Sequence, residues 1–150
     1  LEPFDLLLDA SCEKCADVLE ECVEKVQARS LSLRDNNLDH NMPGVVAGIT
    51  RMTHLRRVDL GGNNVQNVKK SGKGAATLGR IVGEIVKLVA EDTSVEELVL
   101  SDAHLGSHLS LLLNSLGTSS TLQYLDISGN ELGNFGARLL SKVHFITIIL

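Results

Sequence analysis

The chain has 150 residues, 43% apolar and 22% charged, a balance that supports one folded domain and excludes a disordered segment. Aromatic residues make up only 3%, with no Trp and Tyr124 the one tyrosine, so the core must be built of Leu, Val and Ile. The net charge of −5 is polarised: residues 51–80 hold Arg51, Arg56, Arg57, Lys69, Lys70, Lys73 and Arg80 against Asp59, a local +6 that leaves −11 elsewhere and no continuous basic stripe for nucleic acid.

Taken from the N-terminus, "LEPFDLLLDAS" sets Leu1, Phe4, Leu6 and Asp9 in a degenerate form of a pattern that returns four times. An amphipathic helical segment follows, with Ala16, Val18, Leu19 and Val23 on one stripe. It also carries Cys12, Cys15 and Cys22. Their C-x-x-C could open a zinc site, but zinc takes four ligands and only His40 lies near. The cysteines read as small residues of a helix in a reducing compartment. No stretch reads as a leader peptide, and no 18-residue apolar run could span a bilayer. The expectation is a cytoplasmic setting and a piece of a longer protein.

"ARSLSLRDNNL" then places Ala28, Leu31, Leu33, Asn36 and Leu38 at the spacing L-x-x-L-x-L-x-x-N-x-L. "HLRRVDLGGNNV" repeats it with Leu55, Val58, Leu60, Asn63 and Val65, "VEELVLSDAHL" with Val95, Leu98, Leu100, Ala103 and Leu105, and "TLQYLDISGNEL" with Leu122, Leu125, Ile127, Asn130 and Leu132. In each motif two apolar residues alternate with polar ones, as in a short strand buried on one face. The Asn stands where the chain turns away, so Asn36, Asn63 and Asn130 can bond the backbone of turn and neighbouring coil as a ladder. Ala103 breaks that ladder and forfeits bonds worth about 0.5–1.5 kcal/mol each, predicting a looser coil there.

Between motifs lie helical stripes: Val45, Val46 and Ile49; Ile81, Val82, Ile85, Val86 and Val89; Leu109, Leu112, Leu113 and Leu116; Leu139 and Leu140. Strand plus helix in about 27 residues is a long-type leucine-rich repeat. The pattern predicts an α/β solenoid over 1–150, with parallel strands on the concave face and helices on the convex face. Five repeats start near 1, 28, 55, 95 and 122. The one long step, from 55 to 95, carries an insertion at about 66–78, expected as a solvated loop with the next helix starting near Leu78. The closing "VHFITIIL" is apolar and β-branched and fits either the start of another strand or a non-standard terminus. A sixth motif is due at 149.

The run "GGNNVQNVKKSGKGAAT" has the composition of a phosphate loop but fails the spacing G-x-x-x-x-G-K-[ST]: Lys73 after Gly72 would require Gly at 67 and Ser or Thr at 74, where Asn67 and Gly74 stand. Its basic part, Lys69, Lys70 and Lys73, offers a contact for a protein or an anionic lipid surface instead. His40, His54, His104, His108 and His144 share no ligand motif, and nothing marks a strained nucleophile elbow, so neither enzyme nor cofactor is expected. What remains is surface. The residues flanking the strand leucines point to the concave face: Ser30, Ser32 and Arg34; Arg57, Asp59 and Gly61; Glu97, Val99 and Ser101; Tyr124, Asp126 and Ser128. Of these Arg34, Arg57, Asp59, Glu97, Tyr124 and Asp126 are the candidates for binding a protein partner.

"RSLSLRDNNL", "THLRRVDLGGNNV" and "STLQYLDISGNELGNFGARLLSK" resemble repeats of the ribonuclease-inhibitor type, and within that group they resemble the CARMIL family of actin capping-protein regulators. The repeat likeness covers 28–142. Tropomodulin-type actin binders share the architecture and are the alternative, with an inhibitor or sensor array behind them. The resemblance implies a non-catalytic scaffold in a large cytoplasmic protein tied to the cytoskeleton and plasma membrane. Such a protein has a lipid-binding domain and a dimerising helical part, and a disordered tail that binds capping protein and loosens it from filament barbed ends. Those regions lie outside this chain, and no residue here matches the capping-protein-binding motif. The departures from the family pattern are Ala103, the insertion and "VHFITIIL".

Overall fold

The computed structural model describes residues 4–7, 28–36, 42–52, 54–63, 74–90, 94–116, 121–143 and 146–150. Its strands are β1 (Phe4–Leu7), β2 (Ala28–Ser32), β3 (Arg57–Asp59), β4 (Glu97–Val99), β5 (Tyr124–Asp126) and β6 (Thr147–Ile149). They form one sheet in chain order, every neighbouring pair parallel. Each crossover brings the chain back one strand further along. The helices α1 (Met42–Thr50), α2 (Gly74–Ala90), α3 (Leu109–Ser115, entered through a 3₁₀ turn at Gly106–His108) and α4 (Gly133–Leu140) pack one against the next on the other side. The chain is thus an α/β leucine-rich-repeat solenoid.

The register follows the motif. Ser30 pairs with Arg57, Arg57 with Glu97, and Glu97 with Tyr124, always the third motif position against the third. The fourth and sixth positions fill the core: Leu31, Leu33, Val58, Leu60, Leu98, Leu100, Leu125 and Ile127 are all buried, as are Ala28, Leu55, Val95 and Leu122 at the first. The helices complete the core with Val45, Val46, Ile49, Ile81, Val82, Ile85, Val89, Leu109, Leu112, Leu113 and Leu116. At roughly 1.5–3 kcal/mol per buried aliphatic side chain, this shared stack holds coils that could not be stable singly.

Two boundaries differ from the sequence expectation. Helix α2 starts at Gly74, four residues before Leu78, so the last part of the expected loop is helical. Ala75 and Ala76, good helix formers, extend it backwards. The closing run does form a strand, but Thr147 pairs with Tyr124, 23 positions on, where the period leads one to expect 27. Phe145, Ile148 and Leu150 are the first, fourth and sixth residues of a motif that begins four positions early. Ile148 accordingly packs against the core.

Beyond the strands proper, the coils stay paired into the turn. Asp35 N–H donates to the Gly61 carbonyl (3.0 Å), Gly62 to Ser101 (2.8 Å) and Asp102 to Ser128 (2.9 Å). These donors occupy the eighth motif position, where all four coils take the left-handed conformation: Asp35 at φ 58°, Gly62 at 70°, Asp102 at 52° and Gly129 at 69°. Asp and Gly alternate there for a steric reason. A Cβ on Gly62 would run into the Asp35 carboxylate, and one on Gly129 into that of Asp102.

The ninth position supplies the ladder. Asn63 is 1% exposed. Its amide Nδ2 donates to the carbonyls of Leu33 (2.9 Å) and Leu60 (2.9 Å), and its Oδ1 accepts from Asn36 N–H at 2.9 Å. Asn130 repeats this with the carbonyls of Leu100 (2.9 Å) and Ile127 (3.0 Å), and with Leu105 N–H (3.2 Å). Asn36 Nδ2 donates to the Arg34 carbonyl at 3.0 Å. Ala103 is buried at the equivalent place and brings no amide, and backbone pairing between the β3 and β4 coils continues as far as Gly62 N–H to the Ser101 carbonyl.

Candidate partner-binding face

On the concave face the third, fifth and seventh motif positions form three rows across the sheet. The first row reads Ser30, Arg57, Glu97 and Tyr124; the second Ser32, Asp59, Val99 and Asp126; the third Arg34, Gly61, Ser101 and Ser128. Period-2 alternation puts all twelve on the side opposite the leucines. They are not equally accessible, however.

Arg34 explains the difference. Its guanidinium lies across two neighbouring coils, with Nε donating to Asp59 Oδ2 at 3.1 Å and Nη2 to Ser101 Oγ at 2.8 Å. Gly61 makes the crossing possible, since a Cβ there would stand 2.6 Å from Arg34 Nη2 and 2.8 Å from Ser101 Oγ. The hydrogen bond to Asp59, opposed by partial burial, raises the Arg34 pKa above its ordinary value, so the strap keeps its charge at any working pH. Beneath it Asp59 is 7% exposed and Ser101 5%, and Val99 is buried beside them.

Asp59, expected as a partner contact, is buried beneath this strap. Its carboxylate is already engaged by Arg34, by Arg57 Nη2 at 3.8 Å and by the Gly61 N–H at 2.9 Å. It holds the basic residues of the face in place. Burial of this carboxylate is tolerable only because it is so well partnered. Arg34 and Glu97 are the exposed charged candidates, and Arg57, Tyr124 and Asp126 are half-buried.

At the edge where the strands begin, Arg29, Ser30, Arg56, Arg57, Glu96 and Glu97 line a cleft of about 280 Å³. Arg56 pairs with Glu96 at 3.2 Å and Arg57 with Glu97 at 3.4 Å, two parallel ion pairs that join β3 to β4. Sequence reasoning overlooked Arg29, Arg56 and Glu96, which precede the strand residues. A signal existed: "RR" and "EE" occupy the same two motif positions in adjacent repeats. Further along, Asp126 Oδ1 accepts from Ser128 N–H (3.0 Å) and Ser128 Oγ (2.6 Å).

The ladder residues Asn36, Asn63 and Asn130 stand in the turns and hold coils together rather than presenting a surface. Lys69, Lys70 and Lys73, Cys12, Cys15 and Cys22, and His40 and His144 lie outside the described residues. Of the other histidines, His54 is exposed, whereas His104 and His108 are half-buried. His104 takes the left-handed turn conformation at φ 53°. Among the described residues no three His, Cys, Asp or Glu side chains are grouped to hold a metal ion, and no helix is long and apolar enough to cross a membrane.

A family model described as Leucine Rich repeat matches residues 51–68 and 118–141. The human protein "Capping protein, Arp2/3 and myosin-I linker protein 3" is 36% identical over 144 residues, covering 92% of this chain and 10% of its own length. The mouse "Capping protein, Arp2/3 and myosin-I linker protein 2" is 35% identical over 138 residues, with coverages of 88% and 10%. The chain thus spans about a tenth of the length of the curated relatives it matches. Among solved structures, the tropomodulin C-terminal domain from Caenorhabditis elegans superposes with a TM-score of 0.54 over 90% of this chain and 81% of that one. At 11% identity that likeness concerns the fold.

Proposed function

Taking as premise that the chain is a leucine-rich-repeat array resembling the capping protein, Arp2/3 and myosin-I linker proteins, we propose that it is a non-catalytic scaffold segment of an actin-regulatory protein. The observation that carries this is 36% identity across 92% of the chain, on a fold whose polar resource is a continuous sheet face. The relatives' names tie them to capping protein, Arp2/3 and myosin-I. Control of barbed-end capping would act through segments outside this chain. The array itself, 1–150 with its insertion near 66–78, would hold partners on the concave face through Arg34, Arg57, Glu97, Tyr124 and Asp126. The basic Lys69, Lys70 and Lys73 would contact an anionic lipid surface, consistent with a cytoplasmic protein at the cytoskeleton and plasma membrane.

The test is affinity capture from cell extract with the full-length protein as bait, alongside sedimentation with phosphatidylserine vesicles. Recovery of actin-regulatory proteins, reduced by changes on the concave face, is the expected result. If neither actin-regulatory partners nor vesicles are retained, the proposal falls.

A further inference from the structure

The concave face carries its charge unevenly. Its β2–β3 half holds Arg29, Arg34, Arg56 and Arg57 against one exposed carboxylate, Asp35 in the turn, with Asp59 buried beneath them. The β4–β5 half holds Glu96, Glu97, Asp102 and Asp126. From Leu88 to Ala137 the sequence contains seven acidic residues and no Lys or Arg. Nothing basic on that half can neutralise its carboxylates from within.

Resting on the reading that this sheet face is the binding surface, we propose that its β4–β5 half takes a basic segment of a partner protein. One arginine or lysine side chain sits over the Tyr124 ring, between the carboxylates of Glu97 and Asp126. Glu97 is the direct register partner of Tyr124, and Asp126 lies two residues on, so both carboxylates border the ring on the same face. A cation above an aromatic face gains from the ring quadrupole, and flanking carboxylates add to it. Asp126 makes no ion pair among the described residues; its contacts there are those with Ser128, both on Oδ1. Its register partner Ile149, 38% exposed, gives the methylene stem of a long basic side chain an apolar floor.

The other half sets the position. Arg29, Arg34 and Arg56 repel a basic segment from β2–β3, while the ion pairs Arg56–Glu96 and Arg57–Glu97 mark the seam where the sign changes. Charge complementarity thus selects both the partner's sign and its place on the sheet.

The test is fluorescence anisotropy of a fluorescein-labelled Gly/Ser peptide with spaced arginines, titrated with the full-length protein. The same peptide carrying glutamates is the comparison. The arginine peptide should bind, more weakly as salt rises, and the glutamate peptide should not. Tyr124→Ala and Asp126→Asn should each weaken binding roughly 3–10-fold, whereas Tyr124→Phe, which keeps the ring, should stay within about twofold of the parent. Circular dichroism melts establish that the variants remain folded. Failure of the arginine peptide to bind, or binding indifferent to Tyr124→Ala and Asp126→Asn, overturns the proposal. Two further results separate it from its premise. Preferential binding of the glutamate peptide, lost on Arg56→Ala, would keep the concave face as the binding surface and refute its basic partner. A partner captured from extract whose binding is indifferent to every concave substitution would refute both.

Discussion

The eighth motif position offers a sharp test of how neighbouring coils constrain one another. Gly62→Ala introduces two costs that can be separated. The first is conformational: a Cβ at φ 70° costs about 1–2 kcal/mol. The second is steric, because that Cβ would occupy the place of the Asp35 carboxylate from the preceding coil. Asp35 is exposed, so its side chain can swing aside at a cost of about 1 kcal/mol in an off-rotamer geometry. The total expected is about 2–3 kcal/mol, and only the second part should depend on Asp35. Asp35→Gly removes the obstruction and suits the left-handed conformation at position 35. In that background Gly62→Ala should cost about 1–2 kcal/mol. Urea unfolding followed by circular dichroism would give the four corners of the cycle. A coupling energy below about 0.3 kcal/mol would mean the two positions act independently, and the explanation of the Asp–Gly alternation would be wrong.

Other positions give complementary expectations under the same urea assay. At Gly79 and Gly83 in α2 an added Cβ meets nothing within 4 Å, so each Ala substitution should stabilise the protein by roughly 0.5–1 kcal/mol; destabilisation would reveal a contact absent from this chain. Asn63→Ala should cost about 2–3 kcal/mol, because it orphans buried backbone groups in two coils, while Asn130→Ala, at a half-buried site, should cost about half as much. Equal losses would argue against burial as the deciding factor. Arg34→Ala should cost about 1–2 kcal/mol by uncovering Asp59, and Arg34→Ala with Asp59→Ala should cost less than the two single losses added together; strict additivity would refute the strap.

The fold was legible because its core repeats. Leucine or its equivalents at the fourth and sixth positions, 27 residues apart in two of three steps, dictate the strands and their register before any coordinate is seen. Boundaries were less legible where local chemistry competes with the period. Ala75 and Ala76 draw α2 back into the expected insertion, and the last crossover closes in 23 residues instead of 27. The binding face was half legible: alternation identifies which side Asp59 faces, but not that it is buried. Its burial depends on a long side chain from another coil, on the gap left by Gly61, and on Ser101, 67 residues from Arg34.

The Arg34 strap and the Asp–Gly alternation have a common origin that bears on how such a face becomes specific. A parallel stack places equivalent positions side by side, so an identical residue in every coil would set like charges or like bulk together at the register spacing. The chain avoids this by varying the residue at fixed backbone geometry: Asp then Gly at the eighth position, Arg then Gly then Ser at the seventh, Arg then Glu at the second and third. At the seventh and eighth positions, and where Arg56 and Arg57 meet Glu96 and Glu97, a large or charged group is thereby received by a small or opposite one in the adjacent coil, whereas Arg29 and Arg56 stand side by side at the second. The same rule, carried to β5, runs out. Tyr124 and Asp126 meet Thr147 and Ile149 on β6, neither of which can answer a carboxylate. The unanswered charge on this face therefore lies where the internal complement ends, which is where an external basic group would be accommodated.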